Sequence, residues 1–447
     1  MTANPNELPA IEAAERIKSG KLTSESLVAS CLDRIKETDG VIGAWQWLDH
    51  SYALDQAREL DRLRKFGMPL GALHGVPVGL KDIIDTKGIP TERGTPVFAG
   101  RKPRRNASVV DRLQDAGMVV LGKTVTTELA FMNPAGTVNP HDVLRTPGGS
   151  SSGSAASVAH FQAPLSVGSQ TNGSVVRPAS FCGVFGFKPT RGAVSTSGVL
   201  ATCPHLDQLG VFGRTLEDAA ALADAMSGHD SRDTKSHPRP KPRILEGCRQ
   251  DVPVEPLFAW FEPSYLDRLD DDARQGLEDV VALLGKQVER IPVPDGFELL
   301  VEAHRRIQEF ELNRCLGDKV RDNREIVSDA MLEAVDRGHK VTETEYRDAL
   351  RLKVGAERYF DVFFWDYDAI LAPSAQGEAP PVGAGTGDPV FCTVWTLCGL
   401  PALNIPMLSG NSGLPVGVQL IGQAERDDRL FRTARWLLYE IVGGQDG

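Results

Sequence analysis

Three glycine- and serine-rich loops crowded into roughly forty residues constrain this chain more than any other feature. They read Pro147-Gly-Gly-Ser-Ser-Ser-Gly-Ser-Ala-Ala156, Gly168-Ser-Gln-Thr-Asn-Gly-Ser-Val-Val-Arg-Pro178 and Phe181-Cys-Gly-Val-Phe-Gly-Phe-Lys-Pro189. Glycine lets backbone amides approach a ligand closely, and successive N–H groups in such turns form a concavity for an anion. A phosphate or a developing oxyanion fits it equally well. Loops this bare need a rigid frame to hold them.

The flanking sequence predicts that frame. Val76, Val78 and Leu80 alternate as in a strand and deliver Lys81 to its end. Asn106 is placed to cap a helix through Val109, Val110 and Leu113, which Gly117 stops before a buried strand over Met118–Leu121. Helix alternating with strand predicts an α/β fold, a mixed twisted sheet covered by helices on both faces. Thr23 caps a stripe of Leu27, Val28, Cys31, Leu32 and Ile35, and Ala53, Ala57, Leu60 and Leu63 form another, so residues 1–70 read as a helical flank. Thr215–Met226 is a capped amphipathic helix, and the polar, Pro-rich residues 228–243 read as a surface crossing. Helical periodicity returns over Asp270–Leu284 and Glu343–Arg358. Strands over Ala369–Ala372, Ala402–Pro406 and Gly417–Ile421, a helix over Thr393–Cys398 and a last helix to Tyr439 follow. The expectation is a single domain over 1–447, with the core in 71–227 and residues 244–447 completing the sheet and pocket.

Charge and cysteine usage exclude several classes of function. Sixty acidic against 49 basic side chains leave a net charge of −11, and the densest basic stretch, Arg101–Arg105, is one loop long. A nucleic-acid or anionic-membrane partner is therefore not expected. The seven cysteines are odd in number, scattered and without a C-x-x-C pair, and the nine histidines have no metal spacing. Residues 1–20 lack a signal-peptide pattern, and the run Tyr359–Ala372 is broken by Asp361, Asp366 and Asp368, so a reducing cytoplasm is the expected location. Signatures of ATPases, zinc proteases, dinucleotide enzymes and penicillin-binding proteins are absent.

Gly149, Ser151 and Gly153 formally match the G-x-S-x-G elbow of α/β-hydrolases, but Arg145, Thr146 and Pro147 stand where a strand has to enter the turn. A different assembly is open to the loops. Two serines, one from each of the first two loops, can be brought together, with Lys81 in Gly75-Val-Pro-Val-Gly-Leu-Lys-Asp82 arriving on a neighbouring strand. A serine hydroxyl needs a base, and a lysine acts as one only when neutral, which burial in the Val76–Leu80 strand favours.

At this point the chain resembles the amidase signature family of serine hydrolases. The blocks around Lys81, Ser150 and Ser174, the Cys182–Pro189 block and Gly413-Leu-Pro-Val-Gly417 occur in the family's order over most of the chain. The resemblance implies Ser174 as nucleophile, Ser150 as a bridging serine held by a cis peptide, and Lys81 as base. It also implies an oxyanion hole from the amides of Thr171, Asn172, Gly173 and Ser174, with no metal or organic cofactor. Ser151, Asp82, Gln170 and Arg177 are supporting residues. The loop Leu129–Leu144 and the helix Thr393–Cys398 bring Phe131, Met132 and Trp395 forward as pocket residues, although such side chains more often build a core.

The chain departs from the common family pattern in three places. Gln170 stands for an Asp, Asn172 for a Gly, and the arginine of Ser-Ile-Arg moves from the position of Val176 to Arg177. Asn172 is tolerated there even so, since asparagine accepts left-handed backbone angles better than most residues. Asp82 is either an aid to Lys81 or a turn residue, Cys182 is read as packing, and His74 is assigned to the core or the cleft. The reading is an amidase cleaving a C–N bond of a small amide or carbamate. Its partners are that substrate and, at most, a second copy of the chain as a homodimer. One rival is a glutamine-hydrolysing subunit of a tRNA-dependent amidotransferase, against which the shifted Arg177 weighs; the other is a non-catalytic small-anion binding protein.

Overall fold

The apolar and alternating runs assemble into one eleven-stranded mixed sheet in the computed structural model, which describes residues 4–442. The strands are β1 (Trp45–Leu48), β2 (Pro77–Lys81), β3 (Val119–Thr124), β4 (Leu165–Gln170), β5 (Phe185–Lys188), β6 (Gln208–Gly213), β7 (Phe258–Phe261), β8 (Val288–Ile291), β9 (Ala369–Pro373), β10 (Ala402–Ser409) and β11 (Pro415–Ile421). Their spatial order is β1-β3-β2-β4-β6-β5-β10-β11-β9-β7-β8. β2 lies parallel between β3 and β4, and every one of its residues is buried. The middle of the sheet is antiparallel, and β9, β7 and β8 are parallel again.

Helices cover both faces, as the alternation in the sequence predicts. Along β6 the two-residue period sends Leu209 and Val211 into the main core. Phe212 goes instead to a separate cluster with Ala155, Val158, Val175 and Ala179. The first face carries α7 (Leu216–Met226), whose N-cap Thr215 accepts from the Asp218 amide. The second carries α5 (Ser152–Ala159) and α6 (Val176–Cys182). Around them run α1 (Ala10–Lys18), α2 (Ser24–Ile42), α3 (His50–Lys65), α4 (Ser108–Asp115), α8 (Ile244–Cys248), α9 (Asp271–Leu284), α10 (Leu299–Arg321), α11 (Asp329–Lys340), α12 (Glu343–Phe363), α13 (Val390–Leu397) and α14 (Asp427–Val442). Thr23 caps α2 by accepting from the Ser26 amide.

Several expectations need correction. Ala107, not Asn106, occupies the N-cap of α4, and the Asn106 amide donates to Asp111 and Gln114 instead. α10 and α11 are unforeseen, because the inward side of α10 carries His304, Glu309 and Glu311 among its apolar residues and so breaks the hydrophobic period. Residues 228–243 are more than a solvated crossing. Asp230 accepts from Ser195 Oγ at 2.8 Å and Asp233 from the Thr196 amide at 2.6 Å, so buried carboxylates pin the segment. No helix among the described residues is long and apolar enough to cross a membrane.

Candidate active site

Lys81 ends β2 with its side chain fully buried, beneath the loops that precede α5 and α6. Its Nζ lies 2.6 Å from Ser150 Oγ and 2.8 Å from Ser169 Oγ. Burial pushes this ammonium well below its ordinary range, and the nearby Asp207 carboxylate is the opposing influence. The amine is thus held toward the neutral form, with a lone pair available to a hydroxyl.

Ser150 is buried, follows a cis Gly149–Ser150 peptide, and has its carbonyl fixed by the Thr127 amide at 3.1 Å. The loop is bare because its backbone passes other atoms closely. Gly148 has φ +82°, and a Cβ there would stand 2.9 Å from Pro178 Cα; one at Gly168 would meet Ser151 Oγ at 2.7 Å. Ser151 does not form a nucleophile elbow. Its hydroxyl donates to the Ser169 carbonyl and accepts from the Ser169 amide, both at 3.2 Å, stitching the first two glycine loops together.

Ser174 lies between β4 and α6 and, like Asn172, is only half-buried, so this loop meets solvent while Lys81 does not. Among the described residues, the backbone amides of Asn172, Gly173 and Ser174 make no hydrogen bond within the protein. Asn172 does not have a left-handed backbone, so the tolerance of Asn for such angles is not called upon. It is held by α13 instead: Thr396 Oγ1 donates to its carbonyl at 2.5 Å and Thr393 Oγ1 to its side-chain oxygen at 2.8 Å.

Gln170 explains itself in the same way. Its Oε1 accepts from the Val175 and Val176 amides at 2.8 and 3.0 Å, capping the start of α6, and its Nε2 donates to Thr396 at 3.0 Å. A carboxylate can accept both amides but has no hydrogen for Thr396. Arg177 is fully buried, and its Nη2 donates to the Gly149 carbonyl at 2.7 Å and to Thr386 Oγ1 at 3.1 Å. Its Nε and Nη1 are enclosed without partners, and burial lowers the guanidinium to about 10. The residue therefore braces the Ser150 loop.

Asp82 turns away from Lys81. Its Oδ2 accepts from the Glu92 and Arg93 amides at 2.9 and 3.0 Å, and burial, opposed by Lys123, raises it to about 6. His74 belongs to the core, with Nε2 donating to the Leu60 carbonyl at 3.0 Å, and Cys182 packs with its thiol raised by burial. Phe131 is half-buried, and Met132 is 38% exposed. Trp395 is buried against Phe297 and Phe360 with its indole N–H unpartnered. No cluster of three or more metal-ligating side chains occurs among the described residues.

The sequence reading missed Ser169, Asp207 and His304. Ser169 sits inside the quoted Gly168–Pro178 block and was overlooked beside Ser174. Asp207 and His304 belong to no motif and reach the loop only through the fold.

The sequence profile of the family described as Amidase matches residues 26–431. A glutamyl-tRNA(Gln) amidotransferase subunit from Cutibacterium acnes is 34% identical, over 95% of this chain and 93% of that protein. Its counterpart from Natranaerobius thermophilus is also 34% identical, over 96% and 94%. Among solved structures, a chain from a vestigial protein complex connected with the origins of an s-triazine catabolic enzyme superimposes with a TM-score of 0.91 at 28% identity, covering 98% of this chain and 99% of that one. The peptide amidase of Stenotrophomonas maltophilia gives 0.83 at 28% identity, covering 97% and 96%.

Proposed function

The chain belongs to the amidase family, and on that premise we propose that it hydrolyses a small amide by passing the Ser174 proton through Ser150 to Lys81. It is an amidase, a hydrolase acting on carbon–nitrogen bonds. The observation that carries the proposal is the buried Lys81 amine 2.6 Å from Ser150 Oγ. A neutral amine has two hydrogens and one lone pair, so Nζ is able to donate to Ser169 and accept the Ser150 proton.

In this reading Ser174 Oγ attacks the acyl carbon while its proton moves to Ser150. The oxyanion in this reading rests on the amides of Asn172 and Gly173, which have no partner among the described residues and belong to a loop held by α13 and the Gln170 cap. Collapse of the tetrahedral intermediate breaks the C–N bond, and the leaving nitrogen takes the proton back through Ser150. Water then hydrolyses the Ser174 ester by the same route. A carbamate forms an equivalent intermediate and is a substrate by the same chemistry.

Substrate class separates two forms of the proposal. Arg177 is fully buried, with Nη2 on Gly149 and Thr386, so it offers no clamp to a substrate carboxylate, and neutral aliphatic or aryl amides are the expected substrates. The curated relatives favour the second form, hydrolysis of glutamine within a tRNA-dependent amidotransferase. That form brings a partner and a nucleic acid that composition did not lead us to expect. Intact-mass analysis after a fluorophosphonate probe, on wild type and Ser174→Ala, tests the shared chemistry: a single adduct lost in the variant is expected, and an adduct retained in Ser174→Ala refutes it. A panel of amides, carbamates and glutamine then separates the two forms. Turnover of a neutral amide by the isolated chain supports the first, and inertness toward all but glutamine supports the second.

A further inference from the structure

Behind the nucleophile loop lies a buried polar assembly that the motifs do not contain. Thr171 Oγ1 donates to Asp207 Oδ1 at 2.6 Å. The same carboxylate accepts from Thr202 Oγ1 and from the Thr202 and Cys203 amides at 2.8, 2.8 and 2.9 Å. On its other side Thr171 is held through its carbonyl, to which buried His304 of α10 donates from Nε2 at 2.9 Å. The segment carrying Asp207 is itself anchored to α10. Glu311 accepts from Cys203 Sγ at 3.0 Å, the His205 amide at 3.0 Å, His205 Nδ1 and Tyr346 Oη, the last at 2.6 Å.

We infer that Asp207 is a positioning residue for hydrolysis, holding Thr171 so that the following amides face the oxyanion while its charge acts on the Lys81–Ser150 pair. The inference rests on the Ser174–Ser150–Lys81 reading. A cap for one loop needs an acceptor, but this one sits where two requirements meet. It fixes the residue immediately before Asn172 and Gly173. Its carboxylate is also close enough to Lys81 to oppose the effect of burial on that amine.

The groups around the pair are few. Lys81 meets the hydroxyls of Ser150 and Ser169. Burial raises the Asp207 carboxyl above its ordinary range, opposed by the hydrogen bonds of Thr171 and the Thr202–Cys203 turn and by Lys235, whose ammonium lies 3.3 Å from the Asp207 carbonyl. From α10, His304 is held neutral by burial, at about 4, and Glu311 reaches Asp207 only through Cys203. A negative charge beside a lysine favours its protonated form, so Asp207 sets how far above the acid side the base begins to act.

Two substitutions separate the roles, each assayed per fluorophosphonate-titrated site. Thr171→Val removes the tether and keeps the charge. It is expected to lower kcat by ~10- to 100-fold with little change in KM and an unmoved acid limb of kcat/KM, while Thr171→Ser restores the rate. Asp207→Asn is expected to lower kcat and move the acid limb to lower pH. If Asp207→Asn fails to fold, Lys235→Met supplies the second measurement: loss of the screening cation is expected to move the limb to higher pH. Wild-type kcat per site in Thr171→Val, or an acid limb unmoved in both Asp207→Asn and Lys235→Met, overturns the inference alone. A wild type that takes no probe at Ser174 overturns the hydrolase reading and this inference with it.

Discussion

Ser150 and Ser151 are chain neighbours with opposite commitments, and this makes the proposed bridge testable. Ser150 Oγ faces Lys81, whereas Ser151 Oγ is occupied on both sides by the backbone of Ser169. Ser150→Ala is expected to lower kcat/KM by ~1,000-fold or more and Ser151→Ala by much less, because only the first breaks the proton route. Steady-state kinetics on the substrate found in the panel checks this, and the reverse order assigns the bridge to Ser151. Lys81→Met removes the base while keeping the buried stem. We expect turnover and probe labelling to vanish and the fold to persist. The lysine also has a stability signature. Its folded pKa is lowered, so unfolding takes up a proton at any pH between the folded value and the ordinary 10.5, and stability rises with pH across that window. Urea denaturation from pH 7 to 10 is expected to show a shallower rise in Lys81→Met than in wild type. Equal slopes mean the amine is not held neutral.

α10 brings His304 and Glu311 to the back of the nucleophile loop, α13 holds Asn172 through Thr393 and Thr396, and Gln170 caps α6. The loop is thus fixed by two helices far from it in sequence and by a side chain of its own, Gln170. His304 connects this arrangement to acid stability. Burial lowers its imidazole from 6.5 to about 4, so as pH falls below 6.5 the unfolded chain takes up a proton that the folded one refuses. Stability is therefore lost between those values, by ~3 kcal/mol at most. His304→Gln keeps an N–H for the Thr171 carbonyl and has nothing to titrate. Its denaturation midpoint is expected to change less than the wild-type midpoint between pH 6.5 and 4.5. An identical decline in both proteins assigns the acid lability elsewhere.

At the scale of the molecule, one sheet runs from β1 to β8 without a break, and the main hydrophobic cluster takes residues from Ala10 to Leu437. A core shared by both halves of the chain predicts a single cooperative unfolding transition. Differential scanning calorimetry checks it. Two resolved transitions, or a folded fragment ending near residue 243, contradict the single-domain reading. The segment 228–243 bears on this directly, since Asp230 and Asp233 tie it to Ser195 and Thr196 between β5 and β6. A linker between two units has no reason to be pinned in this way.

The sequence by itself determined the chemistry and most of the frame. Glycine blocks, a lysine at the end of an alternating strand and capped amphipathic helices are local patterns, set by backbone sterics and side-chain periodicity over a few residues. The β2 strand that ends at Lys81 was legible for that reason, as were α7 and α9, whereas the roles proposed for Ser150 and Ser174 came from the resemblance to the amidase signature family. Tertiary structure decided what the supporting residues do. Arg177 braces Gly149, Asp82 serves the Glu92–Arg93 turn, and Asn172 is held by α13, none of which spacing reveals. α10 stayed hidden because two of the polar side chains it buries, His304 and Glu311, find partners more than a hundred residues away, at Thr171 and Cys203. Burial of a polar group is tolerated only where the fold supplies its hydrogen bonds, and those partners exist only once the chain has closed upon itself.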